Sequence, residues 1–250
     1  MAITVVVELQ TCNRFVMMIS GDSLKIIGHR GWPTRFPDNV MAGIEAASKV
    51  ADMVEVDVRL AADATLVLSH DPRLGGLEVH ASTWPQLADL DLGGGHHPLT
   101  LEALLKGFPR FPFNLEIKNH PGDPGFDETH GLAYLVADRA RSVDLLTCFF
   151  WPTMDAVRIS HPDLRTGLLV DVGGSIGDAV THALAGGHKA VVPHWQTARA
   201  DPMAVNEARE SGLDVTVWTL NDPEMARDLA TIGVTAIITD DPGLMSHALR

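Results

Sequence analysis

From Lys25 to Asp240 the chain keeps repeating one phrase. A short apolar run gives way to a polar turn, and then to a stretch in which apolar residues recur every three or four positions. The short runs predict buried strands, and the recurrence predicts amphipathic helices. The strands are KIIGH (25–29), DMVEVDV (52–58), TLVLS (65–69), FNLEIK (113–118), DLLTCFF (144–150), RTGLLVD (165–171), KAVVPH (189–194), DVTVWTL (214–220) and TAIITD (235–240). Helices are predicted from Asn39 through VMAGIEAASKV, then over 99–107, 126–142, 152–160, 175–185, 201–211, 222–231 and 243–249. TLVLS follows its predecessor too closely for a helical crossover, so it is expected as a hairpin extension. Setting it aside leaves eight strands, each followed by a helix. Such alternation predicts parallel βαβ units, and eight of them predict an α/β fold of the (β/α)8 TIM-barrel kind. An open doubly wound sheet is the alternative, because periodicity does not report closure. Residues 59–98 interrupt the repeat and read as a small insertion after the second strand. Residues 1–24 read as an N-terminal extension, with ITVVVEL and RFVMMI as the arms of a hairpin. Residues 25–250 are expected as a single domain.

Buried barrel strands should be nearly continuous apolar runs, and some of these are not. In VEVDV, Glu55 and Asp57 lie two apart and share a face, as do Glu116 and Lys118 in LEIK. Active sites of such barrels collect at the C-terminal ends of the strands. There the sequence places His29 and Arg30, then Glu55 and Asp57, His70 and Asp71, Glu116 and Lys118, His194, Trp218 and Asn221, and a final TDD. Burying the carboxylates Glu55, Asp57 and Glu116 costs several kcal/mol each unless a positive charge pairs with them. Their convergence suits a hard divalent cation with oxygen ligands, Mg2+ or Ca2+. Arg30 and Lys118 would then leave positive charge for a phosphate. Histidine is the side chain that most often serves as a general acid or base, so His29 and His70 are the candidates for that pair. The competing expectation is a set of rim ion pairs in which Arg30, Arg59 and Lys118 neutralise the three acids.

Composition narrows the partners. The 250 residues are 46% hydrophobic and 20% charged, ordinary for a globular chain. A net charge of −13 argues against nucleic acid and anionic membrane surfaces as partners. Two cysteines, Cys12 and Cys148, make no disulfide framework or CxxC zinc site, so a reducing compartment, the cytoplasm, is expected. The N-terminal segment lacks a basic n-region and makes a poor signal peptide. No apolar run approaches the ~18–20 residues of a transmembrane segment. A small-molecule partner is therefore expected, with the oligomeric state left open.

Among the remaining histidines, His120 and His194 sit at strand ends and are candidate substrate contacts, and Asn39 is a third candidate contact. His96 and His97 are adjacent on a Gly-rich loop and are poorly placed to chelate together. His80, His130, His161, His182, His188 and His247 are expected to be solvated or capping. DVGGSIGD (171–178) lacks the GxGxxG spacing and a P-loop lysine, so it reads as a plain connection. Trp32 and Trp151 follow strands and either line the pocket or pack.

GHRGWPTRFPDNV, VEVDV…VLSHD, PLTLEALL, NLEIK, VTVWTLND and GVTAIITDDP occur in order from about Lys25 to Pro242. Together they resemble the glycerophosphodiester phosphodiesterase family. The resemblance implies a TIM barrel with a small insertion after the second strand. It implies divalent-metal-dependent hydrolysis of glycerophosphodiesters to sn-glycerol 3-phosphate and an alcohol. By motif, Glu55, Asp57 and Glu116 are metal ligands, His29 and His70 the acid–base pair, and Arg30 and Lys118 phosphate contacts. Trp218 is a wall of the pocket. The chain departs from the family pattern in four places. PENT is here PDNV, so Asp38 is shorter than Glu, Val40 lacks a hydroxyl, and a helix cap falls to Asp38 or Asn39. A Gly before the second strand is Val50, the stretch after HD is shortened to HDPRLGG, and a Ser ending the fourth strand is Cys148. These changes bear on substrate choice more than on activity. The alternative substrate is a lysophospholipid, with Trp32, Trp84 and Trp151 available for an acyl chain. A non-catalytic phosphate-binding barrel is a third reading, disfavoured by the intact site residues.

Overall fold

The computed structural model describes residues 23–250, so the expected hairpin over 1–24 falls almost wholly outside the described residues. The first half runs β1 (Lys25–Gly28), α1 (Met41–Ala47), β2 (Met53–Leu60), β3 (Leu66–Leu68), β4 (Arg73–Leu74), β5 (Leu77–Glu78), α2 (Trp84–Leu87), α3 (Leu101–Gly107), β6 (Phe113–Ile117) and α4 (Gly131–Ala137). The second half runs β7 (Leu145–Cys148), α5 (Trp151–Ser160), β8 (Arg165–Val170), α6 (Ile176–Gly186), β9 (Ala190–Pro193), α7 (Trp195–Ala200), α8 (Pro202–Glu210), β10 (Asp214–Val217), α9 (Pro223–Thr231), β11 (Ala236–Thr239) and α10 (Pro242–Leu249).

β1, β2, β6, β7, β8, β9, β10 and β11 pair in parallel in that order, and β1 pairs with both β2 and β11. The sheet is closed, an eight-stranded (β/α)8 barrel. β3 pairs antiparallel with the upper part of β2, Val58 to Leu68 and Leu60 to Leu66, as the expected hairpin.

Alternation along the strands divides the core in two. Outward residues such as Ile26, Val54, Val56, Val58, Leu115 and Ile117 meet the helices in one large cluster. Inward residues Ile27, Leu145, Leu169, Ala190, Val192, Ala236 and Ile238 fill the barrel. The inward face of β2 continues from Met53 to Glu55 and Asp57, so the acids point into the barrel mouth. The last three helices start alike. Asp201, Asp222 and Asp241 each precede a proline and accept a hydrogen bond from an amide of the first turn. An acceptor at the N-cap and a proline at N1 suit this position.

Several boundaries differ from expectation. The first helix begins at Met41, two residues late, because Asn39 has φ 58° and its side chain is committed elsewhere; neither Asp38 nor Asn39 caps it. That helix ends on Ser48 in right-handed backbone, without a glycine cap. The helix expected over 126–142 covers Gly131–Ala137 alone. Its first residues are held as a loop, in which Asp127 accepts from the amides of Thr129 and Gly131 and Asn119 brackets the Asp127 backbone. The extra helix α7 was not expected; the His194 ring caps it by accepting from the Gln196 amide at 3.2 Å. Within 59–98 lie the β4–β5 hairpin, a 3-10 turn and α2, where the sequence predicted no further elements.

Candidate active site

β2 and β6 are in register, with Glu55 opposite Asn114 and Asp57 opposite Glu116. This brings Glu55, Asp57 and Glu116 together, one oxygen from each lying within 4.8 Å of the others. Glu55 and Asp57 are almost fully buried, at 2% and 1% exposure. Glu55 Oε2 accepts from the Arg30 amide at 2.9 Å, while Glu55 Oε1 is buried with no hydrogen-bond partner among the described residues. Asp57 Oδ2 accepts from Asn39 Nδ2 at 2.9 Å, and the Asp57 amide donates back to Asn39 Oδ1. Lys118 Nζ lies 2.9 Å from Asp57 Oδ1 and donates to Glu116 Oε1. Arg30 donates to Asp38 at 2.8 Å, and its Nε is 3.4 Å from Asp57.

The rim ion pairs expected as the competing reading are thus partly present, through Arg30 and Lys118 but not Arg59. Arg59 donates to the His70 carbonyl and to Asp123. Burial, joined by the charges of Asp57 and Glu116, pushes the Glu55 carboxyl well above its ordinary value, against the pull of Lys118 and Arg30. Burial acts the same way on Asp57, but there the cations Lys118 and Arg30 outweigh it and the carboxyl is held low. Two cations do not fully neutralise three acids, two of them buried and the third nearly so. An orphaned buried carboxylate oxygen beside two more carboxylates fits a hard divalent cation with oxygen ligands.

His29 and His70 flank the trio. His29 Nδ1 lies 2.6 Å from Asp240 Oδ1, and His70 Nδ1 lies 2.8 Å from Asp71 Oδ1. An ionised carboxylate only accepts, so each Nδ1 carries the proton and Nε2 is left as the reactive nitrogen. Asp240 is itself fixed, because Asn221 donates to its Oδ2 at 2.8 Å and accepts from its amide. The His29 hydrogen bond holds the Asp240 carboxyl below its ordinary value. Asp71 is largely exposed. Asp240 and Asn221 were visible in the sequence as strand-end residues but had no role there. Closure supplies it, since β11 neighbours β1.

His29, Arg30, Glu55, His70, Glu116, Lys118 and Trp218 line one cavity of about 80 Å3. A second, of about 270 Å3, shares His70, Glu116, Lys118 and Phe149 and adds Arg59, His120, Asp123 and Cys148. Asn114 and Phe149 are lining residues that the sequence reading missed. Trp218 donates from Nε1 to the Val192 carbonyl and stands edge-on to Phe149. His194 lines neither cavity; it caps α7 behind Trp218, its ring centroid 5.0 Å from that of the indole. Asn39 touches Asp57 from behind. Trp32 packs in the core and Trp84 sits in α2, so neither is at the mouth. His188, expected to be solvated or capping, is buried.

The model of the glycerophosphoryl diester phosphodiesterase family matches residues 29–244. YhdW of Bacillus subtilis is 28% identical over 234 residues, covering 87% of this chain and 94% of that protein. The glycerophosphodiester phosphodiesterase of Caldanaerobacter subterraneus is 27% identical, covering 90% of this chain and 97% of its own length. Among solved structures, the glycerophosphodiester phosphodiesterase of Thermotoga maritima superposes with a TM-score of 0.76 at 25% identity, covering 91% of this chain and 99% of that one. An Oleispira antarctica phosphodiesterase, solved with sn-glycerol-3-phosphate, shares the fold with a TM-score of 0.79 at 20% identity, covering 90% and 96%. With its motifs set at the mouth of a closed barrel and its length matched almost throughout, this chain belongs to the glycerophosphoryl diester phosphodiesterase family.

Proposed function

We propose that this enzyme hydrolyses glycerophosphodiesters to sn-glycerol 3-phosphate and an alcohol with His29 and His70 as the acid–base pair and Glu55, Asp57 and Glu116 as ligands of Mg2+ or Ca2+. Glycerophosphodiester hydrolysis is the activity of the family to which the chain belongs. The observation that carries the site reading is a carboxylate trio, Glu55 and Asp57 buried and Glu116 nearly so, beside a cavity lined by Glu55, Glu116 and two Asp-braced histidines. A divalent cation held by the trio would supply charge compensation for the phosphodiester and its transition state. Arg30 and Lys118, both lining the cavity, hold and orient the phosphate. One histidine takes a proton from the nucleophile at Nε2, and the other returns one to the leaving alkoxide. Trp218 and Phe149 wall the organic part of the substrate. The Oleispira antarctica relative's product complex supports the glycerol 3-phosphate half of this reading.

Residues 25–250 act as a single catalytic domain in this proposal, with 59–98 as its insertion. We place the enzyme in the cytoplasm; among the described residues, no helix is long and apolar enough to cross a membrane, and Cys148 is a free thiol. The larger cavity beside His70 takes the leaving alcohol. A mouse relative named a lysophospholipase D, 22% identical, keeps lysophospholipids as a second substrate class. Of the tryptophans expected to receive an acyl chain, Trp32 and Trp84 are elsewhere, whereas Trp151 lines a cavity together with His120 and Phe149. The test is a metal-supplemented assay on glycerophosphocholine and lysophosphatidylcholine in parallel, with EDTA controls. Turnover of the first that EDTA abolishes is expected; full turnover in His29→Ala or Glu55→Ala would sink the site assignment.

A further inference from the structure

Three side chains in the outer helical layer take no part in the site above. Asp155 on α5, His182 on α6 and His188 just before β9 converge where these elements meet. His182 Nε2 stands 2.9 and 3.0 Å from the two Asp155 oxygens, and His188 Nε2 stands 3.0 Å from Asp155 Oδ1. One donor atom from each lies within 4.8 Å of the other two. None of the three lines either mouth cavity.

We propose that Asp155, His182 and His188 form a second metal site, which takes a borderline-soft divalent cation of the Zn2+ kind and clips α5, α6 and the start of β9 together. Zn2+ binds imidazole nitrogen and carboxylate oxygen at roughly 2.0–2.2 Å in tetrahedral geometry, which sets the donors roughly 3.3–3.6 Å apart. The contacts here need open by only a few tenths of an ångström.

Independent features prepare the site. The His188 side chain is fully buried, and its Nδ1 lies 2.8 Å from the hydroxyl of Thr166 on β8. Metal-binding histidines are held through their second nitrogen in this way. Without a cation, Nε2–H donates to Asp155; with one bound, the threonine hydroxyl would accept from Nδ1–H and free the Nε2 lone pair for the metal. A Cβ on Gly186 would fall 2.7 Å from His188 Nε2, so a glycine keeps the space beside that nitrogen clear. His182 and Asp155 are 38% and 35% exposed, which gives a cation an entry path and a water a fourth position. Arg158, the cation whose field reaches His188, is tied to the Pro162 and Leu164 carbonyls. The donor sets of the two sites differ. Two imidazoles and one carboxylate favour Zn2+-like ions, whereas three carboxylates at the mouth favour Mg2+ or Ca2+.

The bland alternative is a carboxylate accepting hydrogen bonds from two imidazoles. Titrating the chelator-treated protein with Co2+ and then Zn2+ separates the two, using wild type, Glu55→Gln and His182→Gln. The proposal expects intense visible bands of a low-coordinate Co2+ site in wild type and Glu55→Gln, lost in His182→Gln. It expects Zn2+ to raise the melting temperature of the first two, and to bind His182→Gln roughly tenfold or more weakly. Imidazole nitrogen NMR of wild type needs no variant: one equivalent of Zn2+ should move the Nε2 resonances of His182 and His188. Unmoved resonances, or identical spectra and stabilisation in wild type and His182→Gln, overturn the proposal and leave a hydrogen-bonded cluster.

Discussion

Glu55 is a buried acid facing two others, and its behaviour should depend on what shares the site. Its folded-state value lies above the ordinary 4.5, so ionising it costs stability as pH rises through that raised value. Below 4.5 it is protonated in both the folded and unfolded states and adds no pH dependence. In EDTA, Glu55→Gln should therefore melt higher than wild type, with the gap widening from mildly acidic to alkaline pH. Excess Mg2+ should reverse the order, because it stabilises wild type alone. Melting curves across pH with and without the cation check both signs. The histidines offer a second contrast. Removing either imidazole should cost on the order of 10²–10⁴ in kcat. Asp240→Asn should cost less than that but more than Asp71→Asn, because Asp240 is clamped by Asn221 whereas Asp71 is open to water. Comparing kcat and KM for the two variants decides this, with the loss expected in kcat.

Helix starts carry measurable stability of their own. Asp222 accepts from the amides of Glu224 and Met225 at the head of α9 and lies outside the mouth cavities. Asp222→Ala should cost about 1 kcal/mol, a drop of roughly 2–4 °C in melting temperature, with kcat unchanged. The same elements show what the sequence could disclose. The strands were legible because each is an apolar run bounded by turns, and the face of β2 was legible because its acids alternate with valines. α4 was overread because periodicity continues through residues whose backbone is fixed instead by Asp127 and Asn119. α7 went unseen because it is short and capped by a histidine, an uncommon capping residue. The carboxylate trio could be read from spacing, since register merely brings matched strands together. Asp240 could not, because its role exists only through a contact to His29, far away in sequence. Asn39 is a candidate substrate contact by sequence and instead holds Asp57 from behind. His188 was misjudged for a similar reason, because a glycine and a threonine from elsewhere make its burial possible.

The whole molecule carries −13 charges, yet its mouth presents Arg30 and Lys118 to an anionic phosphodiester. Distant acids repel such a substrate, and salt screens distant charges more than close ones. Raising ionic strength toward ~0.15 M should raise kcat/KM for a net-anionic diester such as glycerophosphoglycerol and barely change it for zwitterionic glycerophosphocholine. The barrel's seam has a further effect. His29 and Asp240 are separated by 211 positions and meet only where β11 closes against β1. Most other mouth residues arrive early in synthesis, between Arg30 and Lys118, but one histidine stays unbraced until the last strand is made. A nascent chain can gather its acids and still be a poor catalyst until the ring shuts. The proposed role of His29 predicts that the onset of activity during refolding coincides with docking of β11 rather than with the rise of helical signal.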